Sequence, residues 1–509
     1  MKRYIIKIFL SALLLLPIVS FGQDNFELNG RDNRTHTYSN NTGVTSTELE
    51  YRGKIIFTDD ERDVKYISPG GFLKFSKRSF GNRRTINLEG ESNGIIIREY
   101  FEGSKKRPFE PDGSNWMASV LPDIIRTTGI GAEERAKKFY TNGGINALLQ
   151  EISMLPTNYV KRIYYEASFK IPGLTENEFV LLIEDAGEEI HSSYEIRKVL
   201  TDNSDAFRNN DKALAAVLKV AADINSSYEQ AKIYKHFLTK TNLSNSNKTL
   251  VIRNVREINS NYEKSGVLQA ILKDELSEEN VKLVIAEVSY ISSSYEQSKV
   301  LLYLINNQKF DDIDFDVMLK AVSKISSSYE QGKVLRQLVK GKTLSSEQVA
   351  TVVKATAYIS SGYEQSKFLQ SIIKEQDLDE QSINAILAMT GELSSSYEKS
   401  KVLQLIITAD KFDNSNYASI IKETSSISSS YEQAKILSKI IALSSMPDSY
   451  LLVLIEAIDD VSSNYEKSKL LQKLAAQLPE DKEVREAFFE AAESLSNTEY
   501  GKVMRTVHK

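Results

Sequence analysis

The rhythm of apolar and polar positions changes near residue 110. From about Ser46 to Phe109, short runs alternate or are rich in β-branched residues: TELEYRGKIIF, VKYISP, FLKFSK, RTINLEG and GIIIREYF. Turn-prone clusters separate them, among them TDDERD, PGG, FGNRR and ESNG. A period of two bounded by such turns predicts strands, here a small antiparallel β domain over 46–110 with five or six strands. From Ser114 onward the apolar period is helical, and no proline interrupts the chain from Gly173 to Met446. That stretch accommodates many unbroken helices.

Within the helical region a single phrase recurs, as ISSSYEQSKVL at Ile291–Leu301, ISSSYEQGKVL at Ile325–Leu335 and ISSSYEQAKIL at Ile427–Leu437. Its tyrosine falls at Tyr194, Tyr228, Tyr262, Tyr295, Tyr329, Tyr363, Tyr397, Tyr431 and Tyr465, every 34 residues and once 33. Degenerate copies flank the array, LPTNYVKRIYY around Tyr159 and LSNTEYGKVM with Thr498 in the tyrosine's place. A fixed period of this length is the mark of a stacked repeat array.

Each full copy has Ser two residues before the Tyr and Glu one after, as Ser327 and Glu330. This is the S-x-x-E capping box, in which the Ser accepts from a free helix N–H and the Glu reaches back to the Ser N–H. Each Ser is therefore expected to start a helix. The aliphatic residue four before each Tyr, Ile190 through Val461, is expected to pack at the turn. After the Tyr, apolar residues follow at helical spacing, as Val334, Leu335, Leu338 and Val339, and a second apolar helix follows with Val349, Val352 and Val353. One such pair cannot bury its apolar faces alone, so stacking is required. The predicted fold is mainly α: an α-solenoid of about ten 34-residue helical hairpins over 111–509, preceded by the small β domain.

The tyrosines do not lie on the main apolar stripe at 100° per residue. Two readings stand. Each Tyr packs sideways on the next repeat, or the nine rings form a row along one edge that holds a partner. The residue at +3 is small (Ala231, Ser265, Ser298, Gly332, Ser366, Ser400, Ala434, Ser468), which suggests close approach by a neighbouring helix. Lys at +4, as in Lys333, lies near the Tyr and is expected to be solvated.

The N-terminus adds a destination. MKRYIIKIFLSALLLLPIVSFGQDN has a basic start, an apolar run and small residues, so residues 1–22 read as a signal peptide cut before Gln23. The polar stretch 23–45 reads as a flexible leader. The expected location is periplasmic or secreted, with no stable membrane insertion after signal removal. Removing the signal leaves 61 basic and 69 acidic residues, a net charge of −8. An acidic chain without a basic run is a poor match for nucleic acid. There is no cysteine, which excludes disulfide and thiolate chemistry.

Catalytic patterns are weak. The four histidines, His36, His191, His236 and His508, are scattered, and no metal or cofactor is expected. Ser396–Lys399 spells S-x-x-K, but inside the repeat phrase and without its companion motifs. Gly90–Gly94, GESNG, matches G-x-S-x-G, but a second β run follows where a nucleophile elbow needs a helix. GKT at Gly341–Thr343 lacks the first glycine of a P-loop, with Arg336 in its place, and reads as a helix–helix linker. The chain is expected not to be an enzyme.

The 34-residue helical hairpin is similar to tetratricopeptide repeats, although the Trp-Leu-Gly-Tyr pattern is missing, and HEAT-like packing is equally open. The layout YRGKIIFTDDERDVKYISPGGFLKF, then GSNWMASVLPDIIRTTGIGAEERAKKFYTNGGINALLQEI, then S-x-Y-E repeats resembles exported bacterial helical-repeat proteins. It is also similar to the extracytoplasmic tails of some antibiotic-sensor-type membrane metallopeptidases. This chain lacks that peptidase's zinc motif, so its activity is not implied. The expectation is an exported scaffold that binds a protein partner in the cell envelope. The alternatives are a glycan- or peptidoglycan-binding module using the Tyr edge, and an enzyme in the β domain or its junction with the helices.

Overall fold

A computed structural model describes residues 35–41, 45–309, 315–409, 416–443 and 447–507. The chain divides into two compact units, Met1–Ile171 and Pro172–Lys509.

In the first unit eight strands form: β1 (His36–Asn41), β2 (Thr45–Arg52), β3 (Ile55–Phe57), β4 (Val64–Ile67), β5 (Phe72–Ser79), β6 (Asn82–Gly90), β7 (Ile96–Glu102) and β8 (Lys105–Arg107). Six make one sheet in the order β1-β2-β5-β6-β7-β8, and β3 and β4 make a separate hairpin. All pairings are antiparallel. The alternation seen in the sequence sends Leu49, Leu73, Phe75, Ile86, Leu88 and Tyr100 to one face. There they meet Met117, Leu121, Ile124 and Ile125 of helix α1 (Ser114–Thr128). Trp116 of α1 packs on Phe75 and Tyr100, with ring centroids 5.6 and 6.0 Å apart.

Two expectations need correction here. The segment 23–45, expected as a flexible leader, contributes β1, which pairs with β2 from His36↔Tyr51 to Asn41↔Ser46. An edge strand needs little apolar content, and this one supplies Tyr38 to the core and stacks His36 on Tyr51 at 4.8 Å. The run VKYISP forms a strand as expected, but the five or six strands do not make a single meander, because it pairs with β3 in a separate hairpin rather than joining the main sheet. Gly90 lies where that hairpin meets the sheet, and a Cβ there would sit 2.5 Å from the Ile67 carbonyl oxygen. That close approach accounts for the first glycine of GESNG. Ser92 itself sits in the tight β6–β7 turn, closed by Glu91 N–H to Ile95 O at 2.9 Å.

The unit is completed by α2 (Ala132–Ser153) and α3 (Asn158–Ser168). A buried charged cluster ties them to the β3–β4 turn. Arg135 donates to Glu61 at 2.7 and 3.0 Å, to Glu151 at 2.9 Å, and to the Tyr164 hydroxyl. Burial pushes the Tyr164 pKa up to about 12, so the hydroxyl accepts as a neutral group.

The second unit is a two-layer array. One layer is α4 (Glu176–Glu189), α6 (Asp211–Ala222), α8 (Asn245–Asn254), α10 (Glu278–Val288), α12 (Phe315–Ser323), α14 (Ser346–Lys354), α16 (Glu380–Gly391), α18 (Tyr417–Ser425), α20 (Leu451–Asp459) and α22 (Lys482–Glu493). The other is α5 (Ser193–Asp202), α7 (Ser227–Lys240), α9 (Asn261–Ile271), α11 (Ser294–Asn307), α13 (Ser328–Val339), α15 (Gly362–Glu375), α17 (Ser396–Thr408), α19 (Ser430–Ile441), α21 (Asn464–Ala475) and α23 (Asn497–Val507). In the second layer each helix packs on its counterpart one repeat away, from α5 on α7 to α21 on α23; the first layer does the same except that α12 meets the Ala355–Tyr358 turn after α14 rather than α14 itself. Among the described residues this makes ten hairpins, the α-solenoid expected from the 34-residue period. The layers meet on the predicted apolar positions. Val334, Leu335, Leu338, Val339, Val349, Val352 and Val353 are fully buried, as are the turn residues Ile258 and Val461. Among the described residues no helix is long and apolar enough to cross a membrane.

Candidate functional site

Each phrase builds the joint between two repeats, and its residues divide the work. The Ser two residues before the Tyr is the N-cap, with its side chain accepting from the Glu N–H in all nine copies, from Ser192 to Ser463. The Glu does not complete the expected box. In four copies it turns to the preceding repeat: Glu263 meets Lys235 at 2.8 Å and Glu364 meets Arg336 at 2.7 Å. Glu229 likewise accepts from Arg197, and Glu330 from the Ser298 hydroxyl.

The N–H left over by this turn is served from the previous repeat. The Ser328 hydroxyl oxygen accepts from Ser360 and Ser361 N–H at 3.2 and 3.3 Å, and Ser227 accepts from Asn259 and Ser260 N–H at 3.1 and 3.2 Å. The capping box is thus opened and shared between neighbours, which converts a local cap into an inter-repeat bond. Small residues at +3 make room for this: Ser265, Ser298, Ser366, Ser400 and Ser468 are fully buried. Ser396 of the S-x-x-K match belongs to the same scheme, with its hydroxyl 3.0 Å from that of Ser428.

This arrangement predicts the effect of Ser328→Ala. A hydroxyl facing only solvent would change stability by less than about 0.5 kcal/mol. Loss of the inter-repeat acceptor is expected to cost about 1 kcal/mol. Native-state hydrogen exchange at the Ser360 and Ser361 amides reads the difference, with faster exchange in the variant.

The tyrosine is the member of the phrase that makes no joint. Standing at the second helical position, the nine rings occupy equivalent places on successive parallel helices and are 50–64% exposed. They are not packed between repeats. A cation stands against seven of the nine rings, those of Tyr194, Tyr228, Tyr262, Tyr295, Tyr363, Tyr397 and Tyr465. Lys232 lies 4.3 Å from the Tyr228 ring centroid, Lys401 4.5 Å from Tyr397, Lys469 4.3 Å from Tyr465, and Arg197 5.1 Å from Tyr194. Lys299 sits between two repeats, 5.5 Å from Tyr262 and 6.0 Å from Tyr295. A hydrogen bond with Tyr397 holds the Lys401 ammonium above the ordinary lysine range, and Tyr465 does the same for Lys469. Sequence spacing alone put Lys at +4 near the ring. It did not show that the lysine of one repeat also faces the ring of the last.

Two clefts open in this unit. One, of about 440 Å³, lies between α19 and α21 and is lined by Tyr431, Lys435, Glu466, Lys469 and Lys473. The other, of about 380 Å³, lies among Glu184, Glu188, His191, Lys219 and Asp223. Among the described residues no group of three or more His, Asp or Glu is placed to hold a metal ion.

Compared with known protein families and with curated proteins, the chain matches none. Among solved structures, the crystal structure of the Chs5-Bch1 exomer cargo adaptor complex aligns with 88% of this chain and 85% of that chain, at 9% identity and a TM-score of 0.17. A score that low carries no argument about function. The chain itself is a helical-repeat protein with an N-terminal antiparallel sheet.

Proposed function

We propose that the protein is an exported, non-enzymatic scaffold of the bacterial cell envelope that binds a protein partner along its tyrosine edge. One observation carries the reading: nine tyrosines left exposed in a periodic row, in an array that turns the aliphatic, acidic and small residues of the same phrase inward. A large exposed aromatic surface costs solubility, and contiguous patches of it mark interaction sites. Tyr suits such contacts because it offers apolar area with a polar tip and few rotatable bonds. The signal-peptide pattern and the resemblance to exported helical-repeat proteins support the envelope as the place.

The test is crosslinking capture from the native envelope, with identification of the captured protein and reconstitution from purified components. Wild type is compared with Tyr295, Tyr329, Tyr363 and Tyr397 all changed to Ala, after circular dichroism shows the variant folded. Exposed truncations at hot-spot tyrosines cost about 1–2 kcal/mol each in binding, so capture is expected to fall by at least about a hundredfold. Equal capture by the folded variant would remove the edge from the partner site.

A further inference from the structure

We infer that the tyrosine edge receives an acidic polypeptide segment in an extended, polyproline-like conformation, presenting one carboxylate to each repeat. The inference rests on the protein-binding reading above and names the chemistry of the partner.

The charge on the edge is the first support. Eight of the nine phrases carry Lys at +4 from the tyrosine: Lys198, Lys232, Lys299, Lys333, Lys367, Lys401, Lys435 and Lys469, with Gly266 the exception. The chain as a whole is acidic, with a net charge of −5, so a row of eight ammonium groups is a local departure. Lys198 is paired with Asp202 at 2.9 Å, and elsewhere most acids of the phrase are turned away from the row. Glu330, Glu364, Glu398 and Glu432 are each less than 9% exposed and turned into the joint. Three of the lysines stand 3.6–3.9 Å from the Glu of their own phrase, a loose contact that leaves ammonium donors for a further carboxylate. Lys435, Lys469 and Lys473 line one 440 Å³ cleft with Tyr431 and a single acid, Glu466, so three cations face one carboxylate there.

The ring faces decide between a polypeptide and a sugar chain. Sugars stack on open aromatic faces, but here a cation stands against seven of the nine rings, and Lys299 lies between the rings of two repeats. What the edge exposes is about half of each tyrosine together with part-exposed ammonium groups. Those match carboxylates and prolyl or aliphatic side chains.

Pitch is the third support. Neighbouring packed helices lie about 8–10 Å apart. A polyproline helix repeats every three residues, about 9 Å. A segment with an acid at every third position therefore keeps step with the array, and proline-type segments are known to dock on aromatic-lined surfaces.

The test is fluorescence anisotropy with the full chain and a labelled peptide of about five Glu-Pro-Pro units. Its companions are the same peptide with Gln for Glu, an isomeric peptide with its glutamates clustered at one end, and polygalacturonate as an anionic glycan. Binding of the Glu-Pro-Pro peptide is expected to be at least about tenfold tighter than either peptide control and to weaken as salt rises. Lys299, Lys333, Lys367 and Lys401 all changed to Gln are expected to lower affinity by at least about tenfold. If that variant does not fold, the salt series and the peptide series on wild type decide alone. Equal binding by the clustered peptide overturns the three-residue register. Binding by polygalacturonate but not by peptide overturns the polypeptide assignment, and no binding by any acidic probe overturns the inference altogether. The envelope capture keeps the two readings separate: a protein partner held equally by wild type and by the lysine variant leaves the scaffold reading standing while this inference falls.

Discussion

Arg135→Met is expected to destabilise the first unit by about 3–5 kcal/mol. Arg135 is 4% exposed and sits among Glu61, Glu151 and Tyr164. Methionine fills most of the volume but supplies no charge and no donor. Glu151, 1% exposed, would keep Arg126, which donates to it at 2.9 Å through two nitrogens. Glu61 would retain only Lys138 at 4.0 Å. Its backbone sits at φ 59°, in the left-handed region, and the guanidinium adds to the turn's own hydrogen bonds, Glu61 N–H to Thr58 O and Thr58 N–H to Asp63 O at 2.9 Å each. Removing one partner of a buried pair leaves the desolvation cost without its compensation. Trp116 lies in the core of this unit and is the sole tryptophan, so its fluorescence in a urea titration reads this transition. Lys170→Met is the control: its ion pair with Glu133 is exposed on both sides, and a change below about 0.5 kcal/mol is expected. An Arg135→Met loss under about 1 kcal/mol would mean that the cluster is not what fastens the hairpin.

Periodicity made most of the fold readable. A phrase repeated nine times fixes the helix starts, the buried positions and the number of hairpins, because each repeat must solve the same packing problem. Side-chain direction was less accessible. Ser327 and Glu330 spell a capping box in one dimension, but a stacked neighbour offers the Glu a basic or hydroxyl partner and offers the Ser N–H another acceptor. Local rules do not contain that neighbour. The same limit applies to the tyrosines. Helical phase placed them off the core stripe, yet a residue off the stripe can still be buried by the adjacent repeat, and only the packed array shows the rings open and flanked by cations. Strand β1 escaped for the opposite reason, since its polar composition is that of a loop and its partner β2 supplies the pairing. The Arg135 cluster draws on residues separated by 74, 29 and 16 positions, which no short window connects.

Gln376 shows what the repeat period concealed, and its replacement by Leu is expected to cost about 3 kcal/mol. It lies at the C-terminal end of α15 and is 1% exposed. Its amide oxygen accepts from Leu344 N–H at 3.0 Å, and its amide nitrogen donates to the Val339 and Lys342 carbonyls at 2.8 Å each. One side chain thus satisfies three backbone groups in the α13–α14 connection of the preceding repeat. Gln308 does the same two repeats earlier, accepting from Leu276 N–H at 3.2 Å and donating to Leu272 and Asp274 at 3.0 Å. Both stand thirteen residues after their tyrosine, while Lys342 holds that position in the repeat between, so the pattern does not read as a member of the phrase. Leucine is close in size and apolar, which isolates the polar loss from any cavity. Each buried backbone group left without a partner costs about 1–3 kcal/mol, discounted here because the connection at Lys342 reaches solvent. In a repeat array the damage stays near the altered joint. Hydrogen exchange should accelerate at Leu344 and in α13 and α15, while α5 to α9 keep their protection. Uniform acceleration through the whole array would show a single cooperative unit instead, and unchanged exchange at Leu344 would show that the glutamine only fills space.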